Sequence, residues 1–155
     1  MNPDPGAPAF AALSALAEAW MARDAEAVAA LFEADASYLD ASELDHWLGS
    51  AAIGRRVAVR CAEAVEIVIR LTAPQARQLA ADVVSIFAIV DRGVAVPGRP
   101  MSAQRLRVTL IAHRTAGSWK ISHYAEAPKA PLLELEAFYE AVAADGLNAI
   151  PRRIG

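Results

Sequence analysis

Between Phe10 and Asp40 the apolar residues change period twice, and no other stretch restricts the fold of this chain as strongly. Phe10, Leu13, Ala17, Trp20 and Met21 recur at helical spacing and form one apolar stripe. The stripe should stop near Arg23. Asp24 can then accept from the free N–H groups that open a second helix, and Glu26 in its first turn suits the positive end of the helix dipole. Val28, Leu31 and Phe32 give that helix its buried face, and Ala36–Asp40 reads as a short strand ending in an acid. Helix, helix and short strand in this order are the expected opening of a small α+β domain.

The rest of the chain supplies one more helix and a sheet. Ala41–Leu48 reads as a loop, and Gly49 and Ser50 precede a third helix through Cys61 with Ile53 and Val57 facing inward. Val65–Leu71 is β-branched and partly alternating, while Leu79–Val90 is apolar on both faces, as in a strand covered on both sides. Leu106–His113 and Trp119–Glu126 complete four long strands, and Val96–Pro100 is a Pro/Gly-rich connection. Pro131 opens a last helix with Leu132, Leu135, Phe138, Tyr139 and Val142 on its stripe. The expected organisation is a flexible leader over 1–8, one domain over 9–128 and a helical extension over 129–155.

Composition narrows the partners. At 155 residues, 55% hydrophobic and 21% charged, the chain can bury a core of its own. A net charge of −3 with no basic cluster argues against nucleic acid or an anionic membrane as partner. The lone Cys61 fits a reducing compartment, the first residues lack a secretory pattern and no apolar run is long enough to span a bilayer, so the expected location is the cytoplasm.

The last hairpin can be put in register. A two-residue turn at Thr115–Ser118 pairs Ala112 with Ile121, Leu110 with His123, Val108 with Ala125 and Arg107 with Glu126. His123 then joins Leu110, Ile121 and Trp119 on the inward apolar face, while Arg107 and Glu126 make an ion pair outside, near Val84 or Ile86 on a surface suited to dimerisation.

Ala19-Trp20-Met21-Ala22-Arg23-Asp24, Leu31-Phe32-Glu33-Ala34-Asp35-Ala36, Gly49-Ser50-Ala51-Ala52-Ile53 and Gly117-Ser118-Trp119-Lys120-Ile121-Ser122-His123, in this order, resemble the SnoaL-like branch of the nuclear transport factor 2-like superfamily over about residues 9–127. The resemblance implies an α+β, cystatin-like cone in which a curved antiparallel sheet wraps three N-terminal helices, usually as a homodimer; here the partner copy would dock on the outer sheet face. Ketosteroid isomerases, polyketide cyclases, dehydratases and a kinase association domain share that fold, so the fold alone does not give the function. In the isomerase and some cyclase members an aspartate near the end of the first short strand is the base, and Asp40 falls there. The isomerase oxyanion donors have no counterpart: helix 1 carries Trp20 in place of a tyrosine, and the strand region carries Arg105 and Arg107, which argues against steroid isomerisation.

These residues define the candidate site. Asp40, if it lines the cone, is a partly desolvated carboxylate able to move protons near neutrality, or else it caps a turn toward Ser42. His123 is a second acid or polariser facing it, or a buried histidine bonded to a carbonyl. Trp20, Tyr38, Trp47 and Phe87, with Leu110 and Trp119, would line a pocket for a flat ligand or simply pack the core. One histidine, His46, beside Glu43 and Asp45 is too little for a metal site, and no phosphate loop or nucleophile triad occurs, so neither metal nor cofactor is expected. Two functions stay open: a cofactor-free isomerase, cyclase or lyase acting on a small hydrophobic molecule, and a non-catalytic ligand-binding or oligomerisation module. Convergence of Asp40 and His123 on one void would favour the first, and divergence the second.

Overall fold

The chain builds three helices and one open, curved, six-stranded sheet, as seen in a computed structural model that describes residues 7–41 and 46–128. The helices are α1 (Ala7–Met21), α2 (Ala25–Ala30) and α3 (Ser50–Glu63). The strands are β1 (Phe32–Leu39), β2 (His46–Leu48), β3 (Glu66–Ala80), β4 (Val83–Ala95), β5 (Ser102–Thr115) and β6 (Ser118–Pro128), in spatial order β2-β1-β6-β5-β4-β3. Every pairing is antiparallel except β1 with β6, which run parallel. The proposed helix from Pro131 lies outside the described residues. Among those described, no helix is long and apolar enough to cross a membrane.

Local chemistry explains the helix ends. Arg23 takes a positive φ of 57°, and Asp24 accepts from the N–H of Ala27 at 2.9 Å, so the break expected at this dipeptide is a cap. The second helix is shorter than its stripe suggested: Leu31 is its C-cap and Phe32 already opens β1. Phe32 is buried, so its apolarity served the strand and not the helix. Gly49 turns the chain from β2 into α3 at φ 82°, where a Cβ would come within 2.9 Å of the Ala34 carbonyl oxygen. Ile53, Val57 and Cys61 then face the core from α3.

The sheet extends beyond its apolar runs. The expected strand at 65–71 continues to Ala80 although residues 72–80 are exposed, because β4 pairs with it along almost its whole length. The stretch 79–90 therefore divides between two strands joined at Ala81 and Asp82. Nor is β4 covered on both faces: Val84, Ile86, Ala88 and Val90 are buried, whereas Phe87 on the other face is 39% exposed. Val84 and Ile86 are thus core residues and not part of the outer surface where they were expected.

Two inner rows run across the sheet. Ile86, Leu110, Tyr124, Tyr38 and Trp47 are successive partners from β4 to β2, and all are buried. Ala88, Val108 and Glu126 are partners in the row beside it. Leu110 sits in the middle of the first row with no exposure, packed as core and not as pocket wall. Leu110→Ala should therefore cost about 2–5 kcal/mol of stability, read as a lower urea midpoint at unchanged slope. A loss under about 0.5 kcal/mol, as for a surface position, would contradict this placement.

Candidate functional site

The hairpin register holds only near its turn. Thr115 pairs with Ser118 and Ala112 with Ile121, as expected, but Ile111 then pairs with His123 and Leu110 with Tyr124. Ser122 is the extra residue, and its hydroxyl donates to the Ile111 carbonyl at 3.2 Å. One inserted residue exchanges the faces of everything beyond it, because side chains alternate with period two. Tyr124 and Glu126 consequently point inward, and His123 points outward.

Glu126 is the centre of the resulting polar cluster. Its side chain is 2% exposed and its pair partner Arg92 is 14% exposed. Arg92 Nη1 donates to both carboxylate oxygens, at 2.9 and 3.0 Å, and Nη2 donates to Gln104 Oε1 at 3.0 Å. The hydroxyls of Tyr38 and Tyr124 donate to Oε1 at 3.2 and 3.1 Å, and the Ala41 N–H reaches Oε2 at 3.4 Å. The strands explain the convergence. Tyr38 and Tyr124 are register partners on parallel β1 and β6, so continuing two residues along each brings Asp40 and Glu126 side by side. Asp40 is 8% exposed, the one buried charged residue by whole-residue accessibility among those described.

The electrostatics follow from burial and crowding. Burial, with the negative charge of Asp40, pushes the Glu126 carboxyl above its ordinary 4.5, although Arg92 and the N–H of Ala41 pull the other way. Burial, then the charge of Glu126, drives Tyr38 and Tyr124 well above the ordinary 10, so both remain protonated donors. Burial opposes the charge on Arg92, but Glu126 and the other acidic neighbours outweigh it and raise its pKa.

Two voids flank this cluster. An inner one of about 20 Å³, room for about one water-sized molecule, lies between Leu16, Trp20, Val90, Arg92, Tyr124 and Glu126. An outer cleft of about 310 Å³ is bordered by Trp20, Asp40, Arg60, Arg92, Val94 and Arg99, among others. Trp20 and Arg92 border both.

Of the residues singled out from the sequence, Asp40 and Trp20 meet at the outer cleft. Tyr38 is wholly buried and stacks on Trp47 with ring centroids 4.7 Å apart; Trp47 borders a separate cleft with His46, Leu48, Ala52, Arg55 and Arg56, and neither ring lines the cleft beside Asp40. Phe87 is on the outer face, and Trp119 sits near the hairpin turn under the Arg114 guanidinium, 6.0 Å from its ring centroid. His123 is half-buried and shares a 2.7 Å hydrogen bond with Ser37 Oγ; it does not converge with Asp40. Arg107 faces Ala127, so the expected Arg107–Glu126 ion pair does not form. Trp47 lies on β2 and not in a loop, while Glu43 and Asp45 fall outside the described residues. Among those described, no three His, Cys, Asp or Glu side chains gather as a metal site.

Arg92, Tyr124 and Glu126 were missed for different reasons. Val84, Ile86, Ala88 and Val90 turn inward in the structure and place Arg92 in phase with them, but Val83, Phe87 and Ile89 make the opposite parity apolar too, so the run itself carries no phase. For Tyr124 and Glu126 the signal was the bulge, which no residue type in Ile121-Ser122-His123 marks.

The raised Glu126 pKa has a defined sign. A group whose folded pKa exceeds its unfolded value adds stability that is complete below the unfolded value and is lost as pH rises through the folded one. Wild type should therefore lose stability relative to Glu126→Gln as pH climbs above about 4.5, and the difference should then level off. Urea titrations from pH 4 to 8 would show this; parallel curves, or the opposite slope, would contradict it.

The SnoaL-like domain model matches residues 10–130. No curated protein matches the sequence. Several solved structures share the fold. A proposed aromatic ring hydroxylase from Novosphingobium aromaticivorans superposes at TM-score 0.75 with 22% identity, over 81% of this chain and 89% of that one. A proposed scytalone dehydratase from the same organism gives 0.75 with 12% identity, over 80% and 83%. A proposed dehydratase of the NTF2-like family from Streptomyces avermitilis gives 0.73 with 17% identity, over 81% and 97%.

Proposed function

We propose that this chain, which belongs to the SnoaL-like family, binds a small hydrophobic molecule in the cleft beside Asp40 and rearranges or eliminates from it by acid/base chemistry, as a cofactor-free isomerase, cyclase or lyase. The observation that carries this reading is the buried Asp40 on the wall of that cleft, next to an arginine already committed to a second buried carboxylate. A core of this size could be filled with apolar side chains, and a buried ion pair is weak evidence for stability alone. Charges retained against that desolvation point to a ligand.

The hydrogen bonds of Glu126 and Arg92 and the position of Asp40 support a division of labour. Glu126 has both oxygens occupied by Arg92, Ala41 and two tyrosines, so it serves to hold Arg92 in place. Asp40 is the proton acceptor at the cleft. The guanidinium carries five N–H groups, and the contacts to Glu126 and Gln104 leave donors to spare for negative charge developing on a substrate oxygen or leaving group. Proton removal assisted in this way is the common step of isomerisation and elimination, and the likeness to two proposed dehydratases supports the latter.

A second reading keeps a specific observation in its favour. Asp40 and His123 lie on opposite faces of the sheet, which is the divergence expected of a non-catalytic ligand-binding module. Asp40→Asn separates the two. It should keep the wild-type melting temperature and ligand binding while turnover of small cyclic ketones and alcohols falls at least 100-fold, as for loss of a general base. Turnover unaffected by the change removes Asp40 from the mechanism; binding by wild type without turnover of any compound leaves the binding module.

The outer face suits a second copy of this chain. Leu39, Ala125, Thr109 and Phe87 form a continuous outward row across four strands, with Leu39 41% and Phe87 39% exposed. Phe87→Glu should shift the molar mass measured by light scattering from dimer to monomer; an unchanged dimer would place the contact elsewhere.

A further inference from the structure

The outer cleft is lined by apolar side chains and by charged ones, and one of the latter, Arg99, is carried on a tight turn. Val96-Pro97-Gly98-Arg99 closes with the Arg99 N–H donating to the Val96 carbonyl at 3.3 Å, and Gly98 has φ 72°. Proline second and a left-handed glycine third fit a type II turn, in which both residues are preset for the conformation they adopt. Pro100 follows at once. The backbone that carries Arg99 therefore loses little freedom when a ligand binds.

The Arg99 side chain is exposed, and among the described residues its guanidinium makes no hydrogen bond or ion pair. Arg92, on the same cleft, is different: Glu126 neutralises it. The cleft thus holds a buried acid, Asp40, and an exposed guanidinium, Arg99, together with Arg60, Glu63 and the apolar surfaces of Trp20, Val94 and Val96.

We infer that the ligand of this cleft is an amphipathic anion, a hydrophobic ring system bearing a carboxylate, with the carboxylate held by Arg99 and the ring against Trp20. This rests on the reading of the cleft as the ligand site. Charge sorts the two ends. A carboxylate placed beside the buried Asp40 would meet like charge in a desolvated setting, where such a contact is costly. At Arg99 it meets a planar guanidinium suited to bidentate pairing. Pairing at Arg99 therefore favours an orientation with the carbon skeleton, not the anion, toward Asp40.

A matched pair of probes tests this: 1-naphthoate, and 1-naphthalenemethanol, which has the same ring system without the charge. Calorimetric titration of wild type should show the naphthoate binding roughly tenfold tighter, as a charge-assisted hydrogen bond would give. Added salt should weaken only the naphthoate. Arg99→Gln, on an exposed turn, should bring the naphthoate down to the affinity of the alcohol and leave the alcohol unchanged, and Trp20→Ala should weaken both probes. Equal affinity of the two probes for wild type, or equal weakening of both by Arg99→Gln, overturns the anion assignment while leaving the cleft as ligand site. Failure of wild type to bind either probe overturns the anion assignment together with the reading on which it rests.

Discussion

One inserted residue in the last strand decides what the interior of this domain contains. Before Ser122 the hairpin pairs as its turn dictates, and after it every side chain has changed sides. Without the insertion, His123 would enter the core beside Leu110, and Glu126 would face out beside Arg107. With it, Tyr124 completes an aromatic row with Tyr38 and Trp47, and Glu126 is delivered to the same level as Asp40. The Ser122 hydroxyl on the Ile111 carbonyl gives the displaced residue a partner of its own.

The parallel pairing of β1 with β6 does the rest. Strands that run the same way keep two residues at equal spacing from a shared register point, so acids two positions beyond Tyr38 and Tyr124 must come together. Two adjacent carboxylates in a buried site cannot both be free of cost. The structure offsets this with Arg92 from β4, whose other amino group is steadied by Gln104 on β5. Four strands therefore contribute to one cluster, and α1 closes over it through Trp20.

Much of this was written in the chain. Asp24 capped its helix because a carboxylate there has free N–H groups to accept from. Asp40 came from the family resemblance, which expects an acid near the end of the first strand, and the structure buries it just past β1. Phe87 was misplaced because a strand apolar on both faces carries no phase, so its inner side could not be told from its outer one.

Local chemistry is what the sequence determined by itself: helix ends, turn types, the order of elements and the family they resemble, since these depend on residues within a few positions of each other. Which residues share the interior was decided by tertiary structure alone. A strand's facing depends on every residue inserted before it, and the energy that selects a bulge at Ser122 comes from burying Tyr124 against Tyr38, residues far apart in the chain. No short-range pattern can hold that information, because the contact that creates it exists only once the sheet has closed around the helices.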